Sequence, residues 1–403
     1  MRRVILVLSI IFIVSLAFSS PVKLTMSGWP GNPDEEAAIT AGVEAFNAKH
    51  SDIQLIWEPI PGDYFSTLKT RLSGGTGPDI FYVDVFVFEE LATNNSMLSL
   101  DTYIKKDGFK LSDYYNSLVE AFQYKNRTYG IAKDFSTLAL YFNKSIFDKC
   151  GVAYPTNDET WDSLLIKLQE LKKKGVEYPI IVNPELTRMI PFINSFGGSV
   201  VDSNMKVSLS QPNSKKGFQF YIDLVTKYKV GYEASAAGAG WEGEAFGKEN
   251  AAVMMSGPWC LGFLKGSYPN VYNKMGIVEM PKNVKRSTMV YTVCWAINRQ
   301  SSNKDAAWEA MKFLVTEGQQ IFVEKAGVLG SNKNVAAKDT DPIKQVFYKG
   351  ADYATPWKIP TPTGLFSKAN DQINSRIKDL FYNKITLDEA LKQINENYDS
   401  WIK

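Results

Sequence analysis

Between Val22 and Val83, apolar stretches of two different periods alternate along the chain, and this alternation limits the fold more than any other feature of the sequence. Residues 22–26 read as a strand, and the Gly- and Pro-containing stretch that follows as a turn. A helix is expected next. Asn32 suits its cap, Pro33 suits its first turn, and Asp34, Glu35 and Glu36 place negative charge at its positive end, ahead of a stripe of Ile39, Val43 and Phe46. A second strand over 53–60, a helix over 64–72 stopped by Gly74, Gly75 and Gly77, and a third strand over 79–83 complete a βαβαβ unit. Such units build a parallel, doubly wound sheet that binds ligands at the loops beyond the carboxyl ends of its strands. The first of those loops carries Trp29, with Glu36 at the start of the helix beside it, and the third begins at Asp84.

The chain continues with a helix over 111–124, an extended run over 129–143, a helix over 159–174, a strand over 178–182 and a helix over 185–196. A second α/β lobe begins there. The run over 129–143 holds no turn signal before Asp134 and is expected to cross from one lobe to the other, and a second long β-rich run over 287–298 could cross back. A length of 403 residues also exceeds what one core usually organises. The division expected is a signal peptide over 1–19, a first lobe of 20–132 plus 296–340, and a second of 133–295 plus 341–403.

Arg2 and Arg3 precede an unbroken apolar run from Val4 to Phe18 and then Ser19 and Ser20, the pattern of a secretory signal. The run is short for a membrane span, and no Cys stands at the expected cut to accept a lipid. The expectation is a periplasmic or extracellular chain that is not a lipoprotein. Forty-five Lys and Arg against forty-three Asp and Glu, interspersed, give no support to a nucleic-acid partner. The only histidine, His50, reads as surface, so a His-based metal site or catalytic triad has almost no material, and no cofactor is implied. Cys150, Cys260 and Cys294 cannot form a paired framework; they read as buried thiols, with a Cys260–Cys294 bridge as the alternative.

Four segments carry a resemblance. They are the stretch from Tyr129 to Lys144 followed by Cys150-Gly-Val-Ala-Tyr-Pro155 and Trp161-Asp162; Gly77-Pro-Asp-Ile-Phe-Tyr-Val-Asp84; Phe246-Gly-Lys-Glu-Asn-Ala-Ala-Val-Met-Met-Ser-Gly-Pro-Trp259; and Asn303-Lys-Asp-Ala-Ala-Trp-Glu-Ala-Met-Lys-Phe-Leu314. In content and order they resemble the extracellular solute-binding proteins of carbohydrate ABC importers, the family of maltose-binding protein. The resemblance implies two doubly wound α/β lobes of periplasmic-binding-protein type, joined by crossing strands around a ligand cleft. It also implies a monomer that delivers a sugar to a membrane permease.

Carried over residue by residue, the resemblance places Asp84 as the carboxylate after the third strand and Tyr82 as an aromatic beside it. Asp134 and Ser136 fall on the crossover, Ser136 where relatives more often carry the acid. Trp259 matches the tryptophan that stacks on sugar. Glu185 and Arg188 fall in a segment that faces the cleft, and Thr187 stands where maltose binders place an aromatic. Trp357 and Phe366 occupy the stretch of a further stacking aromatic, while Trp295 and Trp241 are candidates from position alone. A pyranose offers two apolar faces and a rim of hydroxyls, so flat aromatics with fixed carboxylates suit it. A di- or oligosaccharide such as a maltose- or trehalose-type glucoside leads. A monosaccharide, polyol, phosphodiester or polyamine in the same fold, or a glycosidase using Asp84 and Asp134 as acid and base, are the alternatives.

Overall fold

The computed structural model describes residues 20–31, 33–202, 204, 206–355 and 366–401, the first three of the last stretch through their backbone alone. The expected signal peptide, the expected cap Asn32 and Trp357 lie outside the described residues. The chain opens as read: β1 (Val22–Ser27), α1 (Pro33–Lys49), β2 (Ile53–Trp57), α2 (Tyr64–Ser73) and β3 (Ile80–Asp84). β1 pairs in parallel with both β2 and β3, with Leu24 and Met26 fully buried. α1 turns Ile39, Val43 and Phe46 inward, and α2 is capped by Asp63, whose Oδ1 accepts from Ser66 N at 3.1 Å.

Two sheets result. The first has six strands in the order Ala354–Thr355, Thr288–Ile297, β3, β1, β2, with Gly130–Thr137 also paired to Thr288–Ile297. The second runs Met275–Val278, Ala139–Asn143, Val253–Ser256, Ile180–Ile181, Gly231–Tyr232. Each sheet organises one lobe. The extended run does cross between them, but as two strands: Gly130–Thr137 belongs to the first sheet, Ala139–Asn143 to the second, and Leu138 alone lies between. There the hydroxyl of Thr288 accepts from Leu138 N and donates to Leu138 O, both at 3.0 Å. The chain returns between Met275–Val278 and Thr288–Ile297.

Another element also differs from expectation. The helix over 111–124 is a single turn at Leu111–Asp113, a short helix Asn116–Ala121, and then a hairpin pairing Gln123–Tyr124 with Arg127–Thr128. Lys125 and Asn126 both take positive φ (48° and 59°), the twist a two-residue hairpin turn requires. His50 is half-buried and stacks on Phe46, ring centroids 4.2 Å apart. All three cysteines are free, with Cys260 and Cys294 buried.

Candidate functional site: the cleft between the lobes

A cavity of about 780 Å³ opens between the two sheets. The first lobe lines it with Trp29, Asp34, Glu35, Asp84, Lys133 and Asp134, and the second with Trp259, Phe263, Lys265 and Tyr272. Ser136, Tyr291, Thr292 and Val293, from the strands at the crossing, form its floor.

Asp84 is the last residue of β3, and so stands where a strand's carboxyl end meets the crevice. Val293 pairs with Asp84 on one side and with Asp134 on the other, which puts the two acids in one row across three adjacent strands. Asp84 Oδ1 accepts from Phe86 N at 2.9 Å. Burial pushes its carboxyl up to about 7; the Phe86 amide pulls the other way, and the charge of Asp134 adds to the rise. Asp134 is ion-paired with the buried Lys133, whose Nζ also lies 4.1 Å from the Phe322 ring centroid and 4.8 Å from that of Tyr82. Four acids on the first-lobe wall therefore face the space with one lysine among them.

Opposite stands Trp259, 40% exposed although it is among the largest apolar side chains of the chain. Its ring folds back over Gly257, where an added Cβ would come within 2.0 Å of the indole Cζ3, and the Gly257 carbonyl accepts from the Tyr141 hydroxyl at 2.7 Å. The Gly-Pro-Trp order thus seats the indole on a backbone with no side chain beneath it. Gly257→Ala is expected to cost about 1–3 kcal/mol through overpacking, seen as a lower urea midpoint, and to alter the near-ultraviolet dichroism of the displaced indole. Phe263 follows one turn later on the same helix, Trp259–Ser267.

Of the residues expected from sequence, Trp29, Asp84, Asp134, Ser136 and Trp259 meet at this cavity. The others with described side chains lie outside its lining. Glu36 holds the loop before α1, its Oε1 accepting from Gly31 N at 2.8 Å and its Oε2 from Trp57 Nε1 at 3.0 Å. Tyr82 and Trp295 are buried against each other, ring centroids 4.3 Å apart, beneath Trp29. Trp241 packs on Phe263 at 4.7 Å. Arg188, its side chain 12% exposed, stands behind Trp259, and Glu185, half exposed, lies 3.9 Å from its Nε. Of Phe366 only the backbone is described, as the first residue of the helix Phe366–Phe381. Sequence reading passed over Lys133, Phe263 and Tyr291. Phe263, four residues after Trp259 on one helix, was within reach; Tyr291 was not, because it enters the floor only through pairing with Ser136.

A family model described as bacterial extracellular solute-binding protein matches residues 30–321. The chain belongs to that family. Among relatives of this solute-binding protein, the maltotriose-binding protein of Pyrococcus abyssi is 24% identical over 72% of this chain and 62% of its own length, so the alignment leaves more than a third of that relative unmatched. An ABC transporter extracellular-binding protein of Pyrococcus horikoshii is 24% identical over 92% of this chain and 87% of its own. The fold is that of the sugar-binding protein MalE of Xanthomonas citri, with TM-score 0.84 at 15% identity, covering 94% of this chain and 97% of that one. An ABC substrate-binding protein of Listeria monocytogenes, solved with cycloalternan, superposes with TM-score 0.79 at 22% identity over 94% and 98% of the two chains. The expected two-lobed architecture is therefore the observed one. Among the described residues of this solute-binding protein, no group of three or more His, Cys, Asp or Glu could hold a metal ion, and no helix is long and apolar enough to cross a membrane.

Proposed function

We propose that this solute-binding protein is a secreted, monomeric receptor that captures a di- or oligosaccharide between its lobes and presents the closed, loaded form to an ABC-importer permease. It performs no catalysis of its own. The observation that carries the reading is the exposed indole of Trp259, set across the cavity from the row of Asp84 and Asp134. The indole supplies a flat face for the apolar side of a sugar ring, and the carboxylates accept from its hydroxyls. Trp29 and Ser136 complete the contacts. Hydrogen bonds to charged groups contribute roughly 1.5–3 kcal/mol each, and micromolar binding needs about 8 kcal/mol. Two or three carboxylate contacts with one or two stacked rings reach that sum once ordering costs are subtracted. A volume of about 780 Å³ lies in the upper part of the range for small-molecule sites, which supports more than one sugar unit. Relatives named for maltotriose and for arabinooligosaccharide point the same way.

A thermal-shift panel of maltose, maltotriose, trehalose, glucose, inositol, a polyamine and a glycerophosphodiester tests this. An oligosaccharide should raise the melting temperature in a concentration-dependent way, because a ligand that binds only the folded state stabilises it by mass action. A shift by the polyamine or phosphodiester with none by any carbohydrate would overturn the sugar assignment. Cleaved product after incubation with the bound oligosaccharide would overturn the non-catalytic one.

A further inference from the structure

Arg188 was expected to reach a ligand, and its guanidinium instead sits behind the cleft wall, tied to both lobes at once. Nη2 donates to Glu242 Oε1 at 2.9 Å, and Nη1 donates to the Tyr291 hydroxyl at 2.9 Å. Its Cζ lies 5.5 Å from the ring centroid of Trp259 and 5.7 Å from that of Tyr291. The anchor on one side belongs wholly to the second lobe. Glu242 is buried, and its carboxylate also accepts from Ser256 Oγ at 3.2 Å and Asn183 Nδ2 at 3.1 Å.

Tyr291 belongs to the other body. It stands on Thr288–Ile297, paired with Ser136 in the first sheet, and its ring meets Phe86, just past β3, at 6.0 Å. The bond between Arg188 and Tyr291 therefore joins the second lobe to the floor strand of the first. The same cation backs the indole of Trp259, whose ring also meets Tyr291 edge to face at 5.7 Å. The Glu242 carboxylate already balances the charge of the arginine, so the tyrosine bond is additional to the ion pair that folding the second lobe demands. Arg188 Nε is buried without a hydrogen-bond partner, with the Glu185 carboxylate 3.9 Å away, so one donor of the fork is still open beside a half-exposed acid.

We infer that Arg188 is a positioning residue: a brace that holds the angle between the lobes and fixes the face that Trp259 offers to a solute. The inference rests on the cleft being the binding site, but every contact of the brace is made within the chain, so its test needs no solute.

The test is the spread of distances between spin labels on the two lobes in the full chain, without solute. The labels go on Lys105→Cys and Lys173→Cys in a Cys150→Ser background. Tyr291→Phe removes one hydroxyl and keeps the ring, and should widen the distance distribution about twofold by releasing one of the two anchors of a two-state element. Arg188→Lys, which keeps the charge and cannot reach Glu242 and Tyr291 together, should widen it in the same sense. An unchanged width in Tyr291→Phe overturns the brace, even where Arg188→Lys lowers the melting temperature, since a purely structural role moves stability and not the angle. A sugar panel that gives no thermal shift would sink the carbohydrate reading and leave this result standing.

Discussion

Trp259→Ala is expected to weaken solute binding by at least tenfold, about 1.4 kcal/mol, while leaving the fold in place. The two effects separate because the indole is already 40% exposed. Emptying a fully buried tryptophan costs about 3–5 kcal/mol, and a ring that projects part-exposed into the cleft gives up much less packing when removed. A bound sugar ring, by contrast, loses the broad indole face on the second-lobe wall, where Phe263 and Tyr272 also stand. Isothermal titration with the best carbohydrate from the panel, beside urea melts of both proteins, measures the two quantities separately. Unchanged affinity would take Trp259 out of the site.

The second large effect is on stability against pH. The Asp84 carboxyl is raised from an ordinary 3.8 to about 7, first by burial. A carboxyl raised on folding binds its proton more tightly in the native state, so stability from this group is fully present below pH 3.8. It declines as pH rises through the interval up to about 7 and stays low above it. The full shift corresponds to about 4 kcal/mol, and contact with cleft water reduces it to about 2–4 kcal/mol. Asp84→Asn has no proton to lose. The variant should gain on the parent progressively from pH 4 to pH 8 and keep a constant advantage beyond, as read from urea unfolding at several pH values. Parallel curves for the two proteins would mean that Asp84 ionises at its ordinary pH.

How much of this was legible in the sequence varied with how local the cause was. The βαβαβ opening could be read because each signal lies in its own segment: Pro33 and the acids in the first turn of α1, and the glycines after α2. Asp84 at a strand end followed from that reading alone. Trp259 was legible through a tripeptide whose glycine has a steric reason to be there. The hairpin at Lys125 and Asn126 was hidden, since Asn126 tolerates a positive φ without requiring one and Lys125 does not favour it. Arg188 stands beside the cleft, but its guanidinium is turned to Glu242 and Tyr291. Its partners Glu242 and Tyr291 lie 54 and 103 residues away, and no spacing rule connects them. Tyr82 and Trp295 show the same limit: polar-tipped aromatics near a cleft look alike in sequence whether they face the solute or support the residue that does.

The lone Leu138 between the two sheets has a thermodynamic consequence. One residue is too short a tether to let the lobes drift apart, and its amide and carbonyl stay paired to the Thr288 hydroxyl, which can turn with them. The two walls of the cleft are thereby kept at a high local concentration of each other before any solute arrives. A solute that touches both walls has little translational freedom left to remove from the protein, so more of its contact energy appears as affinity.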